Sequence, residues 1–417
     1  MDFAPRERTL DRRQFLQVTA GAAALMPALA SRPLMAAQAV PLTSGLPQGD
    51  YDTAVLEALP GKRPLIKLTT RPPNYETPLS YFSSAITPND AFFVRYHLAT
   101  IPQVDANNWR LQVGGAGAAT PLSLSLADLQ RNFEAVEITA VCQCSGNRRG
   151  LSDPHVPGVQ WSVGAMGNAV WRGARLKDVL GKAGLPKETV EIVFNGADGP
   201  PLTTTPDFVK CLPMWKAMDE NTLIAYQMNG GPLPHFNGFP ARLIVPGWTA
   251  TYWMKHIVSL EASAKPFDGF WMKGAYRIPS GAFPVVQRFV TQETDVNTPI
   301  TEMVVNSLIT SPSEGQRFQM GQNVDVAGIA WDGGYGIRTV EISVDGGANW
   351  RPATLGKDDG RFAFRPWSHR FAAATRGATK IMARATNRIG QTQVETLIFN
   401  GAGYHNNVIR PTTIMVA

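Results

Sequence analysis

From about residue 300 to the C-terminus, apolar and polar residues alternate in short runs: Val324–Trp331, Thr339–Val344, Phe362–Phe371, Lys380–Ala385 and Gln393–Ile398. A repeat of two places every second side chain on one face of a β-strand, and no helix satisfies it. Between the runs, Asp345-Gly346-Gly347 and Asp358-Asp359-Gly360 supply turn residues. The spacing predicts a two-sheet, immunoglobulin-like sandwich over residues 300–417. No cysteine falls in this part, so no disulfide pins the sheets.

The preceding stretch, residues 66–290, has a different character. Strand-like runs at Ala91–Tyr96, Ala135–Val141, Val190–Phe194, Leu223–Tyr226 and Arg242–Val245 alternate with loops rich in glycine and proline. Helical patches are short, the clearest being Leu126–Phe133 and Leu176–Ala183, the second stopped by Gly184. At 417 residues the chain is too long for one hydrophobic core. The expected architecture is α+β: a loop-rich mixed domain over 66–290, then the all-β sandwich. Residues 40–65 are expected to be an extended linker.

The first 39 residues look like an address. Asp11-Arg12-Arg13-Gln14-Phe15-Leu16 pairs two arginines ahead of a mild apolar stretch, Val18 to Leu29, and Ala37-Gln38-Ala39 ends it with small residues. That is the pattern of a twin-arginine signal, which predicts export to the periplasm of a protein already folded around a cofactor. The apolar stretch is short and broken by Pro27, so no membrane span is expected. The segment carries five arginines against Asp2, Glu7 and Asp11, leaving +4 of the formal +6 to the rest. With no Lys/Arg run in the body, nucleic-acid binding has no support, whereas a modest positive balance suits a small anion.

Three cysteines, Cys142, Cys144 and Cys211, cannot all pair within one chain, and a Cys142–Cys144 bridge would close a strained loop. No CxxCH for haem and no zinc spacing is present. The segment Cys142-Gln143-Cys144-Ser145-Gly146-Asn147-Arg148-Arg149 follows a β-branched run, so the thiol is expected where a strand gives way to a loop. The two nearby guanidiniums would favour a thiolate, a soft ligand for a redox-active metal; a buried structural cysteine beside solvated arginines reads the residues equally well. Phe92-Phe93-Val94-Arg95-Tyr96-His97 puts a cation and an imidazole on one strand face. Asn237-Gly238-Phe239-Pro240-Ala241-Arg242, continuing to Trp253-Met254-Lys255, sets two cations in tight turns, as a phosphate would require.

The Cys-Ser-Gly-Asn-Arg-Arg segment resembles the signature of the sulfite oxidase family of molybdopterin-dependent oxidoreductases. Tyr226-Gln227-Met228-Asn229-Gly230, Gly238-Phe239-Pro240-Ala241-Arg242, Pro246-Gly247 and Lys255 resemble its second signature in the right order. Ala330-Trp331-Asp332-Gly333-Gly334 and Val344-Asp345-Gly346-Gly347-Ala348-Asn349-Trp350 look like its C-terminal dimerisation domain. The resemblance runs from about residue 68 to the end and is nearest to bacterial periplasmic sulfite dehydrogenases. It implies a mixed α/β molybdopterin-binding sulfite oxidase fold followed by the immunoglobulin-like sandwich. It implies Cys144 as the thiolate ligand of molybdenum, with Phe93, Arg95, His97, Asp198, Asn237, Arg242, Trp253, Met254 and Lys255 at cofactor-binding positions. Arg95 and Arg149 would form the anion pocket, Trp161 an aromatic wall, and Tyr276 the active-site tyrosine. The implied reaction is oxidation of sulfite to sulfate, with electrons passing singly to a c-type cytochrome, no haem in this chain, and a homodimer or a cytochrome heterodimer as the assembly.

Two departures mark this chain. Asn237 stands where vertebrate relatives have histidine, and Asn400-Gly401-Ala402-Gly403-Tyr404 lacks an arginine that they place by the substrate, which predicts a less positive pocket. The nearest alternative is a molybdenum reductase of methionine sulfoxide, a family that lacks the C-terminal sandwich. A second is a secreted binding protein without catalysis.

Overall fold

The computed structural model describes residues 39–41, 53–115 and 117–417; the expected export signal lies outside them. Three five- or four-stranded sheets build the first domain. The one that carries the functional loop runs Gly231–Pro232, Leu223–Met228, Met166–Arg175, Ala135–Gln143 in spatial order, antiparallel at every step. Met166–Arg175 is central and buried along most of both faces, with Arg172 and Arg175 half-buried near its end. A second sheet is ordered Lys210–Pro213, Glu191–Gly196, Ile257–Ser263, Leu111–Gly114, Leu122–Leu124, with one parallel pair, Ile257–Ser263 against Leu111–Gly114.

The two expected helices form at Leu126–Arg131 and Leu176–Ala183. Ser125 caps the first: its hydroxyl accepts from the Asp128 N–H while the Asp128 carboxylate accepts from the Ser125 N–H, so two end donors are satisfied reciprocally. The second ends on Gly184 at φ +65°, a left-handed conformation that glycine adopts without a Cβ penalty.

Past residue 300 the sandwich is present. One sheet is Asn306–Ser311, Asn323–Trp331, Arg365–Ala372, Thr354–Leu355. The other is Arg317–Phe318, Pro411–Val416, Gly377–Asn387, Ile337–Ser343, Arg351–Pro352. Val324, Val326, Trp367, Ile381, Ala383 and Ile414 fill the space between.

Three expectations fail. Within the expected linker 40–65, the described residues 53–65 are built into the first domain: Thr53–Glu57 is a strand paired with Leu65–Thr69, and Lys62 is buried, donating to Asn89 O and Phe92 O. Gln393–Ile398 forms no strand; only Val394 bridges to Val408, and the Gln393 amide turns inward onto Ser307 and Ala385 instead. Ala91–Tyr96 shrinks to the two-residue strand Val94–Arg95, since the Ala91 N–H bonds back to Pro88 in a turn. Among the described residues no helix is long and apolar enough to cross a membrane.

Candidate active site

The strand Ala135–Gln143 ends one residue before Cys144, as expected, and the loop beyond it is stitched in place. The Cys144 N–H donates to Ala165 O (2.9 Å), the Asn147 N–H to Cys144 O (3.0 Å), and the Asn147 side chain accepts from Ala165 N (3.1 Å). Cys142 and Cys144, two apart, both face one pocket. The Cys142 thiol is pushed up to about 11 by burial and lies 3.9 Å from a nitrogen of Arg242. It therefore belongs to the pocket wall, not to a remote structural position. Cys211 is buried elsewhere, beside Gln292 and Glu191.

Of the sequence-predicted residues, Phe93, Arg95, His97, Cys144, Asp198, Asn237, Arg242, Trp253, Met254, Lys255 and Tyr276 line this pocket. They come from segments up to 183 positions apart in the chain, so only folding assembles them. Arg149 and Trp161 are not on the lining. Trp161 is fully buried in the core, and Arg149 donates to Ala402 O (2.7 Å) and Val159 O (3.2 Å). The other arginine of the segment, Arg148, turns away from the thiols to Asn306 Oδ1 and Val408 O at the second domain.

One wall is cationic. Arg95, Arg242 and Lys255 face Asp198 as the only lining carboxylate. Burial holds Lys255 below its ordinary range and raises Asp198, while each charge pulls the other back. Lys255 Nζ donates to Arg95 O (2.7 Å) and sits 3.0 Å from the Tyr96 ring centre. Arg242 donates to Asn237 O (3.0 Å) and Trp253 O (2.8 Å). The backbone comes close here because Gly196 lacks a Cβ; one added there would stand 2.7 Å from Lys255 O. Asn237 is committed to the protein: its amide donates to Phe93 O (3.0 Å) and its oxygen accepts from Lys62 Nζ.

Next to the cations the lining is aromatic. His97 stacks on Phe208 at 3.6 Å between centroids, meets Trp271 edge-on at 5.3 Å, and pairs through Nε2 with the Tyr276 hydroxyl. Burial, then the charges of Arg95, Lys255 and Lys210, hold His97 well below its ordinary range, so it is neutral. Burial raises the Tyr276 phenol, and the Arg95 guanidinium is in hydrogen-bond reach of it. Tyr276 itself adopts φ +59°, a conformation costing a non-glycine residue roughly 1–2 kcal/mol that its surroundings must impose.

Sequence reasoning missed several contributors. Lys62 reaches Asn237 from the supposed linker. Lys210, fully buried, donates to Trp271 O (2.8 Å) and lies 5.0 Å from the Tyr276 ring. Phe208 and Tyr404 pack on His97 and Tyr276. Only the charge of two lysines in apolar surroundings could have marked any of them.

A molybdopterin fits this pocket on its own chemistry. Ser145 Oγ, Thr251 Oγ1 and Arg242 Nε are buried on the lining without a partner, which leaves polar atoms for a hydrogen-bonding occupant. The excess of cations suits a phosphate, and a thiol at the pocket suits a soft metal.

The chain matches the family described as "Oxidoreductase molybdopterin binding domain" over residues 97–271 and the "Mo-co oxidoreductase dimerisation domain" over residues 297–416. Mitochondrial sulfite oxidase of Homo sapiens is 37% identical over 321 residues, covering 74% of this chain and 57% of that protein. Sulfite oxidase of Arabidopsis thaliana is 33% identical over 317 residues, 72% of this chain and 79% of its own. Among solved structures, the sulfane dehydrogenase SoxCD from Paracoccus pantotrophus superposes with a TM-score of 0.70 at 26% identity, over 82% of this chain and 84% of that one. The chain thus spans little more than half the length of its mammalian relative. With both domains matched in order and the pocket lined as described, this chain belongs to the sulfite oxidase family of molybdopterin-binding oxidoreductases.

Proposed function

We propose that the protein is a periplasmic sulfite dehydrogenase, exported by the twin-arginine route, that oxidises sulfite to sulfate and passes electrons singly to a c-type cytochrome. The observation that carries this reading is the convergence of the Cys144 thiol, the Arg95 guanidinium and the Tyr276–His97 pair on one pocket. Cys144 would hold the metal; Arg242, Lys255, Thr251 and Ser145 would hold the pterin and its phosphate. When bound, the molybdenum cofactor supplies the oxygen atom that sulfite accepts and stores the two electrons released.

The chain's own residues bind and orient. Arg95 offers a fixed cation to the anion's oxygens, so charge is stabilised with little rearrangement. His97, held neutral, pairs through Nε2 with the Tyr276 hydroxyl and fixes where that phenol points. Phe208 and Trp271, packed on His97, keep water off that side of the pocket. The matched dimerisation domain supports a homodimer as the assembly.

Metal analysis of the purified protein should give molybdenum, and sulfite should reduce added cytochrome c. Cys144→Ser should remove sulfite oxidation while leaving the fold, followed by circular dichroism, unchanged. Full activity in that variant, or protein without molybdenum that still oxidises sulfite, would sink the proposal. Reduction of methionine sulfoxide in place of sulfite oxidation would favour the S-oxide reductase alternative.

A further inference from the structure

Lys255 lines the pocket, and its ammonium has three N–H groups to place. The carbonyl of Arg95 takes one, at 2.7 Å from Nζ. The face of the next residue along, Tyr96, takes another, with Nζ 3.0 Å from the ring centre. One chain segment thus grips the ammonium from two sides and leaves one N–H for an occupant. Burial works against the charge on this lysine, and the Asp198 carboxylate, also on the lining, works for it. An aromatic face within roughly 6 Å attracts an ammonium and not a neutral amine, so the Tyr96 ring also favours the charge.

Tyr96 is not on the lining; it is fully buried behind the lysine, packed with Leu65, Tyr75 and Val94. Its ring is held from two directions. Phe236 meets it edge-on, with centroids 6.4 Å apart and planes at 84°. Its hydroxyl lies 2.8 Å from His256 Nε2, and His256 Nδ1 lies 2.6 Å from Phe239 O. A carbonyl only accepts, so Nδ1 carries a proton. Burial, then the charge of Lys255, hold His256 down to about 3, so the imidazole is neutral and Nε2 accepts from the Tyr96 hydroxyl. The series Phe239, His256, Tyr96 therefore fixes the face on which the ammonium rests.

We propose that Tyr96 is the positioning residue for Lys255: with the Arg95 carbonyl it clamps the ammonium, favours its charged form, and leaves one N–H for the phosphate of the molybdopterin. This rests on the reading above that Lys255 holds that phosphate. A cation already fixed in place loses little freedom when its partner arrives. Without the ring, one N–H has no acceptor, and Asp198 alone opposes the effect of burial on the charge.

The test follows the molybdenum retained by the loaded full-length protein during dialysis, read by metal analysis as a half-time. Lys255→Met, which loses a charged hydrogen bond, should shorten it about tenfold. Tyr96→Leu should shorten it by about as much, while Tyr96→Phe, which keeps the ring, should stay within about twofold of the unaltered protein. Tyr96→Leu combined with Lys255→Met should lose molybdenum no faster than Lys255→Met alone, because the ring acts through the lysine. A general loosening of the fold would add to the loss in that double variant. Circular dichroism checks each fold, with Tyr96→Met as the substitute should the leucine variant not fold. Unchanged retention in Tyr96→Leu, an equal loss in Tyr96→Phe, or an added loss in the double variant overturns the role of Tyr96. Unchanged retention in Lys255→Met overturns the phosphate reading and the proposal with it. Sulfite oxidation, assayed in parallel, bears only on the proposed activity.

Discussion

Lys210 and Lys62 show how burial makes single side chains pH-sensitive. Burial brings Lys210 down to about 7, offset in part by Cys211 and reinforced by Arg277. The unfolded chain therefore binds a proton that the folded chain gives up between about pH 7 and the ordinary lysine value near 10.5. Stability from this group should rise with pH across that window and reach its low plateau below about pH 7. Lys210→Met keeps the volume and removes the titration, so its melting temperature should vary less between pH 7 and 10 than that of the unaltered protein. Scanning calorimetry across that range checks it; equal slopes would refute the assignment. Lys62 is likewise lowered to about 7 by burial, with Asp90 opposing, yet it holds the amide oxygen of Asn237. Lys62→Met should loosen Asn237 and Arg242 together, reducing molybdenum occupancy by more than it lowers the melting temperature.

Two glycines separate what a strand needs from what a helix tolerates. Gly173 lies on the central strand Met166–Arg175, where an added Cβ would fall 2.1 Å from Ile224 O on the neighbouring strand. Neither backbone can yield without breaking the ladder, so Gly173→Ala should destabilise by about 3 kcal/mol, near the upper end for overpacking. Gly181, in the exposed part of the helix Leu176–Ala183, has nothing within 4 Å of its virtual Cβ. Gly181→Ala should instead stabilise by roughly 0.5–1 kcal/mol, through lower unfolded-chain entropy. Urea denaturation of both variants checks the opposite signs. The elements were legible where pattern and punctuation agreed: Gly184 and the alternating runs each name their structure. They were not legible at Gln393–Ile398, because an alternating run forms a strand only if a neighbour's edge is free to pair with it. There the Gln393 side chain satisfies the Ala385 N–H that such a strand would have used.

The two domains are bound to each other by the same segment that carries the thiols. The strand leading to Cys144 donates from Val141 N to Phe362 O (2.9 Å), and Trp331 Nε1 donates to Gln143 Oε1 (2.6 Å). Arg148 reaches Asn306 and Val408, while Asn406 returns a hydrogen bond to Arg148 O (3.1 Å). Arg148→Met removes the hydrogen bonds to Val408 O and to Asn306 Oδ1, which keeps its bonds from Ser307 N and Gln393 Nε2, so it should cost about 1–2 kcal/mol. Because the junction abuts the site, sulfite turnover should fall in step with the denaturation midpoint; a stability loss with turnover untouched would show the junction and pocket to be independent.

The local chemistry was written in the chain. The strand-to-loop change at Cys144, the period of two past residue 300, the helix stop at Gly184 and the ordered motifs all depend on residues close in sequence, whose geometry short-range sterics and hydrogen bonding decide. Eleven of the thirteen expected site residues do share one pocket. What folding alone decided is direction. Arg148 and Arg149 lie four and five residues after Cys144, yet Arg148 turns to the second domain and Arg149 sinks into a glycine sheath, 5.4 Å from the Tyr404 ring centre. Lys62, Lys210, Phe208 and Tyr404 join the site from distant segments. A side chain's partner across such a span is set by which surfaces bury one another, and that depends on the packing of the whole molecule.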